Sequence, residues 1–384
     1  MFVRSFCYEA YSLMKTLAVI GASYLQLPLV EKAKEMGLRV ICFAWADGAV
    51  CSEIADKFYP ISIVEKDDIL EICRQEKIAG ICTIASDVAA PTVAYVAEKL
   101  HLNGNHYEAA QRANNKFLMR EAFSKAGITG PRYIRVCKIE GNDFADWLFP
   151  LIVKPCDRSG SLGVMKVTNI KDLQRSLEKA LSFSFKHEAI VEEYIEGREI
   201  SVEFISYHGV HYPLMITDKV TTGAPHFVEL EHHQPAVLSE CQFRMIYSIT
   251  QRALDALGIT EGASHTEYKI TQSGDIYIIE LGARMGGDFI GSDLVQLSTG
   301  YDFVKGVIEV ALDSFEEPSF SLKCHSGVFF LCKETERLLP YFQNGSERIP
   351  IVKKEIMDPY LKSVSCSADR SGYFIYQADK TISL

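Results

Sequence analysis

Runs of basic residues are missing from this sequence: no five consecutive positions are Lys or Arg, and acidic side chains (50) outnumber basic ones (40). The net charge of −10 argues against a general nucleic-acid binder, which needs a basic face for phosphate. Long apolar runs are missing too; none reaches the roughly 18 residues of a membrane-spanning helix. The 11 cysteines are scattered from Cys7 to Cys366 without a C-x-x-C pair, which argues against a zinc knuckle or a disulfide framework and for reduced thiols buried in strands. Gly21-Ala22-Ser23 follows the first apolar strand in place of G-x-G-x-x-G, so the dinucleotide fingerprint is absent. The first 13 residues hold Arg4 and Glu9 and lack the apolar core of a signal peptide. They read as a short extension ahead of Met14, an alternative start, and the cytoplasm is the expected location.

What is present is a globular composition, 48% hydrophobic and 23% charged, in 384 residues, enough for two to four packed units. Apolar strands at 17–20, 38–43 and 78–84 alternate with helical stretches at 26–37, 67–77 and 88–100, which predicts a parallel, doubly wound sheet. A helix at 114–126 ends at Gly127. From 151 the texture changes to antiparallel-looking strands at 151–154, 163–167, 189–194, 199–206, 210–216, 264–271 and 275–281. Helices at 171–182, 244–257 and 301–312 lie among them, and short strands follow 320.

The most informative stretch is HTEYKITQSGDIYIIELGARMGG, residues 265–287. Two alternating strands flank Ser273-Gly274 as a hairpin. With a two- or four-residue loop centred there, Glu267 falls opposite Glu280, with Cβ atoms about 5 Å apart. Bare carboxylates at that separation repel by roughly 3 kcal/mol at an effective dielectric of 20. The pair is tolerable if solvated, if it shares a proton, or if it holds a cation, and oxygen-only ligands suit Mg²⁺. A three-residue loop would undo the pairing. Arg284, among Gly282, Gly286 and Gly287, adds a bidentate donor suited to phosphate.

Upstream, Lys154 closes the apolar strand LIVK, a costly position unless it meets an anion. Ser159, Gly160, Ser161 and Gly163 follow in a loop with bare backbone N–H groups that could cover a polyphosphate, or form a plain hairpin turn. In AIVEEYIEGRE, residues 189–199, Glu192 and Glu199 flank a turn at Gly197. That stretch could give an adenine its backbone partners and a ribose its carboxylate, or be a charged hinge.

Taken in order, VKP, the Gly/Ser loop, EEYIEG-RE and E…ELGARMGG resemble the ATP-grasp superfamily over residues 15 to about 312. The nearest look is to its carboxylate–amine ligases, among them amino-acid ligases and relatives of carbamoyl-phosphate synthetase, glycinamide ribonucleotide synthetase and biotin carboxylase. The resemblance implies an N-terminal extension (1–13), a parallel α/β domain (14–112), a linker helix with a small lid (113–196), a central antiparallel α+β domain (197–319) and a small β-rich C-terminal unit (320–384). It implies ATP between lid and central domain. Lys116 and Lys154 would contact its phosphates, and residues 157–164 would cover them. The backbone of Glu192 and Ile195, with Tyr194 nearby, would read adenine, and Glu199 would hold ribose. Glu267 and Glu280 would bind Mg²⁺ or Mn²⁺, although Gly282 stands where the family often has asparagine. Arg284, with Lys154, would be catalytic, steadying the transferring phosphoryl group.

The implied reaction phosphorylates a small carboxylate and couples it to an amine, releasing ADP and phosphate. Candidate substrate residues are Arg284, Asp288, and His226 and Glu229 in HFVELEHHQPA, with Asp87 facing the cleft from the first domain. Residues 226–236 read as a substrate loop or plain surface. His232 and His233 are adjacent, so a strand would point them to opposite sides, which argues against zinc. Other readings are a purine-pathway or carboxylase-type ligase, although no biotin-attachment motif is present, and an ATP-binding regulatory protein without catalysis. The expected partners are small molecules, with no nucleic acid or membrane, and a homodimer is left open.

Overall fold

The computed structural model describes residues 14–138, 144, 146–160, 162–343 and 349–384; the expected extension 1–13 and Ser161 lie outside them. The first sheet is parallel, in the order β3-β2-β1-β4, formed by β1 (Thr16–Ile20), β2 (Arg39–Phe43), β3 (Lys57–Tyr59) and β4 (Gly80–Cys82). Alternate residues of β1 serve opposite faces. Leu17 and Val19 pack with Leu29 and Val30 of α1 (Leu27–Glu35). Ala18 and Ile20 pack with Ile69 of α2 (Lys66–Gln75) and Val96 of α3 (Ala90–Leu100). Burial on both faces is why the sequence reads LAVI without alternation.

Two helices lead onward, α4 (Tyr107–Asn114) and α5 (Lys116–Lys125). The helix expected from 114 begins at Lys116, because Asn115 is extended (φ −113°) and its side chain accepts from the N–H groups of Phe117 and Leu118. This cap places Lys116 in the first turn of α5 with Arg120 one turn on, on the same face.

Where the lid was expected stands a four-stranded antiparallel sheet, β5-β8-β6-β7, from β5 (Tyr133–Val136), β6 (Leu151–Pro155), β7 (Met165–Val167) and β8 (Ala189–Glu193). Helix α6 (Ile170–Phe183) covers one face, its Leu173, Leu177 and Leu181 against Val153 and Val191.

The largest sheet has eight strands in the order β13-β12-β9-β10-β11-β14-β16-β15. Its members are β9 (Arg198–Tyr207), β10 (Val210–Thr221), β11 (Glu229–Gln234), β12 (Gly262–Ile270), β13 (Ile276–Gly282), β14 (His325–Leu331), β15 (Ile351–Ile356) and β16 (Gly372–Ala378). Helix α7 (Glu240–Leu257) packs against it through Ile246, Ala253 and Leu254. Helices α8 (Val295–Thr299) and α9 (Phe303–Ala311) follow the hairpin, and Phe303, Val307 and Ile308 of α9 share a core with β1 and β2. The C-terminal strands are β-rich, and they continue the central sheet through β11 and β14. Residues 229–234, expected within a loop, form that internal strand. Glu231, His232, His233 and Gln234 are all buried there, and Glu231, His233 and Gln234 are held by hydrogen bonds to Arg337, Tyr376 and Thr217.

The hairpin holds a second correction. Its loop is odd: Thr271 donates to Asp275, and Lys269 lies opposite Tyr277. That register alone would have separated the glutamates. A β-bulge at Ile279 adds one residue to β13, shifts the register after Tyr268, and sets Glu267 opposite Glu280. The bulge also lets consecutive residues Ile279 and Glu280 both face one cleft.

Among the described cysteines none is paired; Cys42, Cys82, Cys156 and Cys332 are buried, while Cys137, Cys241 and Cys366 are exposed rather than in strands. Among the described residues no helix is long and apolar enough to cross a membrane.

Replacing the cap, Asn115→Ala, should cost about 1 kcal/mol, the usual worth of such a side chain. Urea unfolding of the variant measures it, and unchanged stability would show that the cap does not hold the start of α5.

Candidate active site

A cleft of about 390 Å³ opens between the lid and the central sheet. Its walls come from every part of the chain: Tyr24 and Asp87 from the first domain, Lys116 from α5, Lys154 and Glu192 from the lid, and Glu267 and Glu280 from the central hairpin. Ser367 and Arg370 come from the C-terminal segment.

At the lid side, Glu192 is nearly fully buried and accepts from Lys154 Nζ at 2.7 Å and Arg120 Nε at 2.6 Å. Burial pushes its pKa up, but Arg120 and then Lys154 outweigh burial and bring it down to about 2. Arg120 also donates to the carbonyl of Ile279, the bulge residue, so one guanidinium ties α5 to lid and hairpin. Lys116 donates to Glu280 Oε1 at 2.8 Å and to the carbonyl of Arg158 at 2.5 Å. The cation that α5 presents thus also fixes the start of the Gly/Ser loop.

Glu267 faces Lys219, which also lies 3.6 Å from Glu229. Burial would lower the pKa of Lys219; Glu267 and then Glu229 outweigh it and hold the ammonium charged. On its other side Glu267 meets His265 Nε2 at 3.4 Å, and His265 Nδ1 is bonded to the fully buried Glu203. Burial pulls the His265 pKa down, but Glu203 and then Glu267 raise it above the ordinary value. Glu203 also accepts from the N–H of Gly286 at 2.9 Å, so it orients both the imidazole and the glycine turn. A Cβ at Gly286 would sit 2.6 Å from Glu203 Oε1, which explains the bare backbone there.

Glu267 and Glu280 each take their hydrogen bonds through Oε1, and none among the described residues uses either Oε2. That donor set fits one divalent cation with water and phosphate oxygens completing its shell. Among the described residues no group of three or more His, Cys, Asp or Glu side chains could hold a metal without such help.

Arg284 NH2 donates to Asp87 Oδ2 at 2.7 Å, joining the first domain to the hairpin. Among the described residues its buried Nε has no partner, a donor left for an anion. Gly282 is explained here as well: a Cβ at that position would lie 2.5 Å from Asp87 Oδ1. Asp87 therefore occupies the space a side chain at 282 would need.

Of the remaining expected residues, Ser159 and Gly160 line the cleft, whereas Gly163 does not; it turns at φ +76° over Pro155 and Phe183. Glu192 lies inside the lid ladder opposite Tyr133 and Ile152, and β8 ends one residue later. Glu193, the last residue of β8, and Tyr194 and Ile195 just past it line the cleft. Tyr194 is flanked by Lys166 and Lys269, at 3.7 and 5.0 Å from the ring centroid. Glu199 lines the cleft and bonds Lys269 at 3.0 Å. Glu229 and Asp288 reach it too; His226 is exposed and does not. Sequence reasoning missed Arg120, Lys219, Glu203 and Arg370. Only Arg120 carried a signal, its helical spacing from Lys116.

Residues 147–293 match the model of the ATP-grasp domain family. Alanine–anticapsin ligase of Bacillus subtilis is 28% identical over 304 residues, 68% of this chain, and the chain spans only 62% of that relative's length. The solved L-amino acid ligase of Bacillus licheniformis is 23% identical with a TM-score of 0.77, covering 95% of this chain and 94% of its own. Phosphoribosylglycinamide synthetase from Anaerococcus prevotii is 21% identical with a TM-score of 0.73, covering 95% of this chain and 94% of its own. Likeness at those identities fixes the fold alone.

The buried triad gives a stability test. Glu192→Gln leaves Arg120 and Lys154 without their counter-charge and should cost about 3–5 kcal/mol near neutrality. Because the folded pKa lies below the unfolded one, the carboxylate's contribution is complete above about pH 4.5. It is lost as pH falls toward 2. Denaturant unfolding at a series of pH values should show the gap between wild type and variant closing across that window; a constant gap would contradict the assignment.

Proposed function

We propose that this chain, which carries an ATP-grasp domain, is an ATP- and divalent-cation-dependent ligase that joins a small carboxylate to an amine. The observation that carries the reading is the hairpin pairing of Glu267 with Glu280 on the floor of a cleft where Lys116, Lys154 and Arg284 converge. An arrangement with so many cations around two outward carboxylates suits a polyphosphate bound with a metal ion. The names of the relatives, amino-acid ligases among them, support amino-acid-like substrates.

In this reading Lys116 and Lys154 bind phosphate oxygens, exchanging part of their bonds to Glu280 and Glu192 for ligand. Ser159 and Gly160 close over the phosphates, with Ser161 and Gly163 in the same loop. The backbone at the end of β8, from Glu193 to Ile195, takes the adenine edge beside Tyr194, and Glu199 takes the ribose. A divalent cation on Glu267 and Glu280 would neutralise phosphate charge as it develops. The buried Nε of Arg284 donates to the transferring phosphoryl group or the acyl phosphate. Nothing in the cleft needs to act as a covalent nucleophile; positioning and charge neutralisation carry the step.

The test is product analysis. Incubation with ATP, Mg²⁺ and pooled carboxylates and amino acids should yield ADP and phosphate. Hydroxylamine, supplied in place of the amine, should trap the activated acyl group as a hydroxamate. AMP and pyrophosphate as the main products would overturn the acyl-phosphate route.

A further inference from the structure

Beyond the phosphate end, the cleft holds a histidine that the roles above leave unused. His232 lies on β11 between β10 and β14, is 0% exposed, and lines the cleft. Among the described residues neither ring nitrogen has a hydrogen-bond partner, a costly state for a buried imidazole. Its neighbour His233, on the opposite face, is satisfied by Tyr376 and Glu231. The difference is that His232, unlike His233, belongs to the wall of the cleft.

The surroundings of His232 are built. Nε2 lies 4.0 Å from Asp288 Oδ2, too far for a good direct bond. Asp288 cannot swing toward it, because Arg370 grips both oxygens, NH1 to Oδ2 at 2.8 Å and NH2 to Oδ1 at 2.7 Å. Arg370 also stacks on Phe330, at 3.8 Å from the ring centroid, and the imidazole meets the same ring edge-on. Asp288 and Phe289 both hold positive φ, +51° and +67°, a strained pair that the fork and the stacking of Phe289 on Tyr373 maintain. The other charged groups facing His232 are Lys219, its cross-strand partner, and Glu229. Burial keeps the imidazole neutral near pH 7.

We propose that His232, held beside Asp288 by the C-terminal Arg370, receives the amine substrate and takes its proton. This rests on the ligase reading above. The ammonium donates to the free imidazole nitrogen, with Asp288 behind it as the counter-charge. One proton passes to His232. The freed lone pair attacks the acyl carbon, the C–N bond forms, and the bond from that carbon to the phosphate oxygen breaks. The second nitrogen proton leaves with the departing phosphate. The imidazolium is stabilised by Asp288 and returns its proton to solvent on product release.

Hydroxylamine separates this role from a structural one, since it is neutral at pH 7 and needs no base. In His232→Gln, amide formation with a pool of common L-amino acids should fall on the order of 10²–10⁴-fold, the usual worth of a general base. Hydroxamate formation should fall far less, and the amide reaction should recover at higher pH. Equal losses in the two assays, or no loss in amide formation, would overturn the proposal. If wild type releases no ADP with any pool, the ligase reading fails, and nitrogen NMR of the His232 ring in wild-type protein then decides. Adding the L-amino-acid pool with Mg²⁺ and a non-hydrolysable ATP analogue should shift that resonance, and an unmoved ring would reject His232 as the amine site.

Discussion

Two carboxylates facing each other on neighbouring strands repel, and much of this molecule is arranged around that repulsion. Two unscreened charges at the roughly 5 Å Cβ spacing of cross-strand neighbours would repel by roughly 3 kcal/mol at an effective dielectric of 20, and Glu267 and Glu280 are such neighbours. The answer comes from three separate elements: Lys116 on α5 meets Glu280, while Lys219 on β10 and His265 on β12 meet Glu267. These cations are themselves buried and would be costly alone. Charges and counter-charges therefore require one another, and the cleft exists as a unit or not at all.

That mutual requirement links parts of the chain distant in sequence. Arg120 joins α5, the lid and the bulged strand through Glu192 and the carbonyl of Ile279. Arg284 reaches Asp87 in the first domain, and the missing side chain at Gly282 makes room for it. Arg370 reaches Asp288 from a segment joined edge to edge with the central sheet. Helix α9 completes the frame by sharing its apolar face with the first sheet. A nucleotide entering the cleft would exchange ligand contacts for a few of these pairs without exposing new charge, which is why a preformed site can bind without a large rearrangement.

The sequence was most legible where hydrophobic periodicity was clean. The parallel strands around β1, helix α6 and the two strands of the hairpin β12–β13 all follow from apolar spacing. The hairpin pairing came from an even loop, whereas the loop is odd and a bulge at Ile279 restores the pairing; no local pattern marks a bulge. Strand β11 was illegible for a different reason. Its buried residues are polar, and His233 and Gln234 are satisfied by distant partners, Tyr376 and Thr217, so periodicity carries no signal. Lys154 could be singled out because a lysine ending an apolar strand is locally anomalous. Lys219, Glu203 and Arg370 sit in unremarkable contexts and gain meaning only from partners that the fold brings to them.

The claim on which the account depends is that Glu267 and Glu280 together hold a divalent cation with the nucleotide. Electron paramagnetic resonance of Mn²⁺ in the presence of a non-hydrolysable ATP analogue tests it most directly. Wild-type protein should immobilise the ion in a signal distinct from free Mn²⁺–nucleotide. The double variant Glu267→Gln, Glu280→Gln, with an unchanged circular dichroism spectrum, should lose that signal. The same immobilised signal in both proteins would contradict the account.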